Sequence, residues 1–182
     1  MPEPDPLAPE EVLASQNIYS GRIVNLRLDD VELPNGHRSR REVVEHGEVV
    51  AIVGLDDDGS VLLVRQYRHA VGQALLELPA GGVDAGESLE EAAQREFQEE
   101  TGFKAERLER LGGFYVSPGY CTEFIHAFLA SGLRESRLEH DSDELIVVER
   151  MPLARAAALA KSGEIKDAKS IVGLLLAEAR QM

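Results

Sequence analysis

Residues 81–103 read GGVDAGESLEEAAQREFQEETGF, a glycine-punctuated loop running into a helix that crowds Glu96, Glu99 and Glu100 onto one side. Ser88 followed by Glu91 is a capping box, so the helix begins near Leu89. Leu89, Ala93 and Phe97 recur every four residues with Ala92 beside them, a narrow apolar stripe that seats the helix on a core. Gly102 is placed to end it. At about 100° per residue, Glu96 and Glu100 lie about 40° apart and Glu99 falls on the other flank of Glu96. Three carboxylates this close repel one another, and a multivalent cation would relieve them. Arg95, four residues before Glu99, is within reach to hold a carboxylate. An acidic, solvated surface helix is the ordinary reading of such a face, so the decision rests on the segment as a whole.

The flanks of this segment are rich in strand signals. Asn17 to Leu33 and His37 to His46 read as two strands joined at Pro34-Asn35-Gly36. Val49 to Leu55 and Ser60 to Gln66 form a second hairpin about Asp56-Asp57-Asp58-Gly59, and their continuous apolar runs predict strands buried on both faces. Further strands are expected at Leu75 to Leu78, Leu108 to Val116, Phe124 to Ala130 and Glu144 to Met151. Two helices follow, from about Pro152 to Lys161 before Gly163 and from about Ala168 to Arg180. The first fifteen or so residues, rich in Pro, Glu and Ala, read as a loose arm, with or without a short helix. Strands on both sides of the acidic helix, with helices at the end, predict an α/β fold with helices on both faces of a mixed sheet.

Composition sets limits. The 182 residues suit one domain with a sizeable core, with 43% hydrophobic and 29% charged residues. A net charge of −14 argues against non-specific nucleic-acid binding, and an anionic substrate would need a local basic patch. The single Cys121 excludes an intrachain disulfide, and the absence of a leader-like or membrane-length apolar run makes a cytoplasmic protein without membrane association the expectation.

Gly81, Glu87, Arg95, Glu96, Phe97, Glu99, Glu100, Gly102 and Phe103, at their spacing, resemble the Nudix box. The resemblance implies a Nudix-type α/β/α sandwich whose box holds divalent ions, usually Mg²⁺ and sometimes Mn²⁺. It also implies cleavage of a diphosphate linked to a second group, with water attacking phosphorus. By resemblance and shared face, Glu96 and Glu100 are the first candidate metal ligands, Glu99 the third, and the Ala80 carbonyl before the box another. Glu87 and Arg95 are expected to support the loop and orient ligands.

Pro118, sixteen residues after Gly102, resembles the specificity-loop proline of the ADP-ribose pyrophosphatase subgroup. Arg40-Arg41-Glu42-Val43-Val44-Glu45-His46-Gly47 and Val64-Arg65-Gln66-Tyr67-Arg68 are similar to stretches that supply phosphate and adenine contacts there. Arg41 and Arg68 are the residues carried over, with Arg40 and Arg65 as weaker alternatives, and Glu123 matches a ribose-binding acid. The subgroup is typically a homodimer whose N-terminal strands cross to the neighbour, where Tyr19, Arg22 or Ile23 can reach adenine. The implied layout is a flexible arm at 1–16, an N-terminal β-hairpin at 17–46 for dimerisation and substrate contacts, and the hydrolase domain at 47–182.

The loop Glu139-His140-Asp141-Ser142-Asp143-Glu144 is the remaining expectation. By resemblance, aligning the following apolar run puts Glu144 at the metal-ligand position, as a catalytic carboxylate, with Ser142 where similar enzymes carry a glutamate. Serine cannot deprotonate water at neutral pH, so Asp141 or Asp143 substitutes, or the base is Glu96 or Glu99. The resemblance thus implies Mg²⁺-dependent hydrolysis of ADP-ribose to AMP and ribose 5-phosphate. The alternatives are another nucleoside diphosphate sugar as substrate, or a nucleotide sensor without catalysis.

Overall fold

A computed structural model describes residues 5, 7–136 and 145–181. The chain divides into two units, one holding residues up to Gly47 together with Tyr115–Glu123, the other Glu48–Phe114 and the chain from Phe124 onward.

The first unit is built on an antiparallel sheet in the order β1 (Glu11–Ser20), β2 (Asn25–Glu32), β3 (Arg38–Glu45). The expected single strand from Asn17 to Leu33 is in fact two, reversed where the Gly21 N–H donates to the Val24 carbonyl at 3.0 Å. Residues 11–16, expected within a loose arm, lie in β1, whose partner β2 supplies the backbone bonds that composition could not foresee. The predicted turn forms, with Gly36 at φ 79° in the left-handed region. The segment Tyr115–Glu123 is tied to β3 through backbone bonds from Val44 N to Tyr120 O (2.8 Å) and from Thr122 N to Val44 O (3.0 Å).

The second unit carries β4 (Val49–Leu55), β5 (Ser60–Arg68), β6 (Gln73–Glu77), β7 (Ala80–Gly82), β8 (Phe103–Tyr115), β9 (Phe124–Glu135) and β10 (Ile146–Pro152). They form one sheet in the order β10-β5-β4-β9-β8, with β6 added to β5 and β7 to β4. β4 runs parallel to β9, while β5 is antiparallel to β4, β6 and β10, so the sheet is mixed as expected. The helices are α1 (Leu89–Thr101), α2 (Leu153–Ser162) and α3 (Ala168–Gln181).

Alternation along β4 explains its unbroken apolar run. Val50 and Ile52 pack with Ala92, Ala93 and Phe97 of α1, whereas Val53 packs with Leu153 and Ala156 of α2 and Leu174 of α3. Helices therefore cover both faces, giving the α/β/α layering that the order of strands and helices predicted. A Cβ at Gly54 would overlap the Phe97 ring, so this glycine is the notch that lets α1 sit close. Burying Phe97 there stabilises the contact by about 1.5–3 kcal/mol and fixes the height of its neighbours Glu96 and Glu100 above the sheet. The short strand β7 carries no sequence signal, because Ala80-Gly81-Gly82 has weak β propensity and pairs only by virtue of β4 beside it. Among the described residues, no helix is long and apolar enough to cross a membrane.

Candidate active site

The box begins with the expected cap. The Ser88 hydroxyl accepts the Glu91 N–H at 3.2 Å, the Glu91 carboxylate accepts the Ser88 N–H at 2.9 Å, and Gly102 closes the helix at φ 77°. Between these ends, Arg95 is a hub. Its Nε and Nη2 each donate to Glu87 at 2.9 Å, Nη1 donates to Glu96 at 2.6 Å and Glu99 at 3.2 Å, and Nη2 also reaches the Gly82 carbonyl at 2.9 Å. One planar fork thus fixes the loop, the strand and two helix acids together. Its bonds to Glu87, and then to Glu96, push the Arg95 pKa above the ordinary arginine value despite the opposing cost of burial. The same guanidinium holds the Glu87 carboxyl below its ordinary range.

Strand β7 presents the other half of the site. The Ile52 N–H bonds Pro79 O at 2.9 Å and the Val83 N–H bonds Glu48 O at 3.1 Å. In an antiparallel ladder, bonded and non-bonded pairs alternate, so the intervening Ala80 and Gly82 turn their backbone polar groups away from β4. Both find partners on the box: Ala80 N donates to Glu100 at 3.2 Å, and Gly82 O receives Arg95. A side chain at Gly81 would overlap the Glu96 carboxyl, so glycine is what admits that acid to the strand. Glu96 and Glu100 therefore converge on Ala80-Gly81 from one helix face, with Glu100 buried.

These donors suit a hard divalent cation. They are carboxylate oxygens, together with a carbonyl at Ala80 that the same alternation leaves without a β4 partner. Among the described residues, no three His, Cys, Asp or Glu side chains close on a single point. Glu96 and Glu99 are instead engaged by Arg95, and Glu100 by Ala80 N. The donor set thus fits Mg²⁺ or Mn²⁺ in chemistry, with Arg95 and the β7 backbone holding the acids in its place.

Arg68, at the end of β5, lies in the same unit, and its charge senses Glu100. Its guanidinium makes two 2.8 Å bonds to Glu77. Arg41, Pro118 and Glu123 belong to the first unit. There Arg41 on β3 makes two bonds to Glu10, at 3.0 and 2.5 Å. Pro118 sits in a turn where Tyr120 N and Cys121 N both donate to Ser117 O, and this turn is laced to β3. Glu123 is half-buried, its carbonyl accepting from Val116 N. Arg40 pairs with Asp30 and Arg65 with Glu149, so both alternatives are engaged. Tyr19 and Ile23 are exposed. Glu144, with Asp141, Ser142 and Asp143, lies outside the described residues.

Sequence reasoning missed Glu77, Lys169 and Asp167. Glu77 is 1% exposed and pairs with both Arg68 and Lys169, while Lys169 also meets Asp167 at 3.0 Å. The signal was a lone acid inside the apolar run Leu75-Leu76-Glu77-Leu78, but its lysine partner is 92 residues away in the chain.

Residues 45–172 match the NUDIX domain family, and residues 10–44 match the nucleoside diphosphate sugar hydrolase N-terminal domain. The chain is 41% identical to an ADP-ribose pyrophosphatase of Bacillus subtilis over 94% of its own length and 96% of that protein's. It is 37% identical to a methanol dehydrogenase activator of Bacillus methanolicus, over 91% of this chain and 90% of the other. A crystal structure of an ADP compounds hydrolase superposes with a TM-score of 0.87 at 29% identity, covering 96% of this chain and 95% of that one.

Proposed function

The chain belongs to the Nudix hydrolases, in the branch that includes ADP-ribose pyrophosphatases, and from that premise we propose that it hydrolyses ADP-ribose to AMP and ribose 5-phosphate with Mg²⁺, or Mn²⁺ in its stead. The observation that carries the reading is the convergence of Glu96 and Glu100 on Ala80-Gly81, braced by the Arg95 fork, in a chain so similar to an ADP-ribose pyrophosphatase.

Glu96, Glu100, the Ala80 carbonyl and Glu144 are the groups that would hold the ion. When bound, it neutralises charge on the diphosphate and lowers the pKa of a water ligand. In the net reaction, a water oxygen bonds to one phosphorus as the bond from that phosphorus to the bridging oxygen breaks. One water proton is taken up by a carboxylate and the departing phosphate keeps the bridging oxygen. Of the two box candidates, Glu99 suits proton transfer better than Glu96: it is more exposed, at 31% against 15%, and its bond to Arg95 is longer. By resemblance, Arg68 and Arg41 would contact the anionic and purine parts of the substrate and Glu123 the ribose hydroxyls, with Pro118 in the specificity loop.

The N-terminal match names nucleoside diphosphate sugars as a class, which keeps a second substrate reading open within the same chemistry. The exposed β1 edge, with Val12, Leu13, Ile18 and Tyr19 uncovered, favours a homodimer whose second copy covers it. The lone cysteine fits a cytoplasmic location. Incubation with Mg²⁺ and a panel of ADP-ribose and other nucleoside diphosphate sugars, monitored by release of the corresponding nucleoside monophosphate, tests the reading. ADP-ribose should be cleaved best and Glu100→Gln should abolish turnover; no AMP at any enzyme level sinks the substrate claim.

A further inference from the structure

Glu77 is the most deeply buried carboxylate among the described residues, at 1% exposure. Burial opposes its ionisation, yet its pKa lies below the ordinary value because Arg68 and Lys169 both donate to it. A buried ion pair adds little net stability over apolar packing of the same volume. Two cations gathered on one acid therefore suggest a role in placement.

The geometry shows what is placed. Glu77 occupies Nε and Nη2 of Arg68, one edge of the fork, and leaves Nη1 without a hydrogen bond among the described residues, on a side chain 40% exposed. On the far side of Glu77, Lys169 is only 11% exposed and is anchored in turn by Asp167. Asp167 caps α3, accepting the Ser170 N–H at 3.0 Å and its hydroxyl at 2.5 Å. The buried Ser170 hydroxyl accepts the Leu78 N–H at 2.7 Å, so the residue following Glu77 is pinned to the same helix end. The chain Asp167, Lys169, Glu77, Arg68 thus runs from the N-terminus of α3 to a guanidinium within electrostatic reach of Glu100.

We infer that Glu77, backed by Lys169, is a positioning residue that holds the Arg68 guanidinium with its Nη1 edge turned out to receive the substrate's diphosphate. This rests on the reading of Arg68 as a substrate contact. Glu77 itself touches no substrate. It prepays the ordering of a long side chain, and the benefit appears in binding.

The test combines Glu77→Gln, Lys169→Met and Arg68→Ala with the double variant Glu77→Gln/Arg68→Ala. Hydrogen exchange of the Arg68 Nε–H, followed by ¹⁵N-edited NMR, reads the geometry without any substrate. It should speed up at least tenfold in Glu77→Gln; unchanged exchange overturns the inference. On the nucleoside diphosphate sugar that the wild type cleaves best, KM should rise about tenfold with kcat held within about threefold, the signature of lost uniform binding. A fall in kcat at constant KM marks mere structural damage and overturns the inference. In the Arg68→Ala background, Glu77→Gln should add nothing to KM; a full additive increase overturns it. If Glu77→Gln does not fold, Lys169→Met serves, with faster exchange and a smaller KM rise expected and no change in either refuting. Should the wild type cleave no sugar nucleotide, the substrate reading fails while the exchange measurement still decides the positioning.

Discussion

Replacing Arg95 with methionine keeps the aliphatic stem and removes the fork. Five hydrogen bonds disappear, to Glu87 twice and to Glu96, Glu99 and Gly82 once each. Losing one partner of a buried pair costs about 3–5 kcal/mol, and Arg95 is 27% exposed, so the lower end, about 3 kcal/mol, is expected. For a chain of this size that is a fall of roughly 6–12 °C in Tm for the metal-free protein. The pH dependence identifies the cause. Glu87 has a lowered pKa in the folded protein, so its pairing contributes stability above the unfolded carboxylate value of about 4.3, and that contribution fades as pH falls through the folded value. The deficit of Arg95→Met relative to wild type should thus be full at neutral pH and shrink below about pH 4. Chemical denaturation of both proteins at several pH values measures it. Arg95→Lys, which keeps the charge but not the geometry, should recover only part of the loss, because one ammonium cannot serve three acids and a carbonyl. A deficit that stays constant from neutral to acid pH, or a lysine variant equal to wild type, would refute the hub.

Gly81→Ala places a methyl group where the Glu96 carboxyl lies, so Mn²⁺ affinity measured by electron paramagnetic resonance should fall by about 10-fold or more while the fold persists; unchanged affinity removes Glu96 from the site. Gly54→Ala drives a Cβ into the Phe97 ring and should destabilise the protein by about 1–3 kcal/mol in urea; a neutral result would mean α1 is not seated in that notch. If a second copy covers β1, sedimentation should give a dimer and dilution should not release a fully active monomer, an outcome that a monomer with undiminished turnover would contradict.

Elements whose signals are local can be read without the fold. The capping box at Ser88 and Glu91, the stripe through Phe97, the stop at Gly102 and the two-sided apolar runs of β4 and β5 are set by neighbours a few residues away, and each forms as expected. The box acids were legible for the same reason: a helix fixes which side chains share a face. What meets that face depends on long-range packing. β7 forms because β4 lies beside it, and its alternation aims Ala80 N at Glu100 and Gly82 O at Arg95. Arg68 was singled out in the sequence, but the carboxylate that grips it, and the lysine behind that carboxylate, depend on α3 returning to the end of β6. Burial turned an ordinary glutamate into the anchor of a guanidinium, and burial is a property of the packed chain that no run of neighbouring residues encodes.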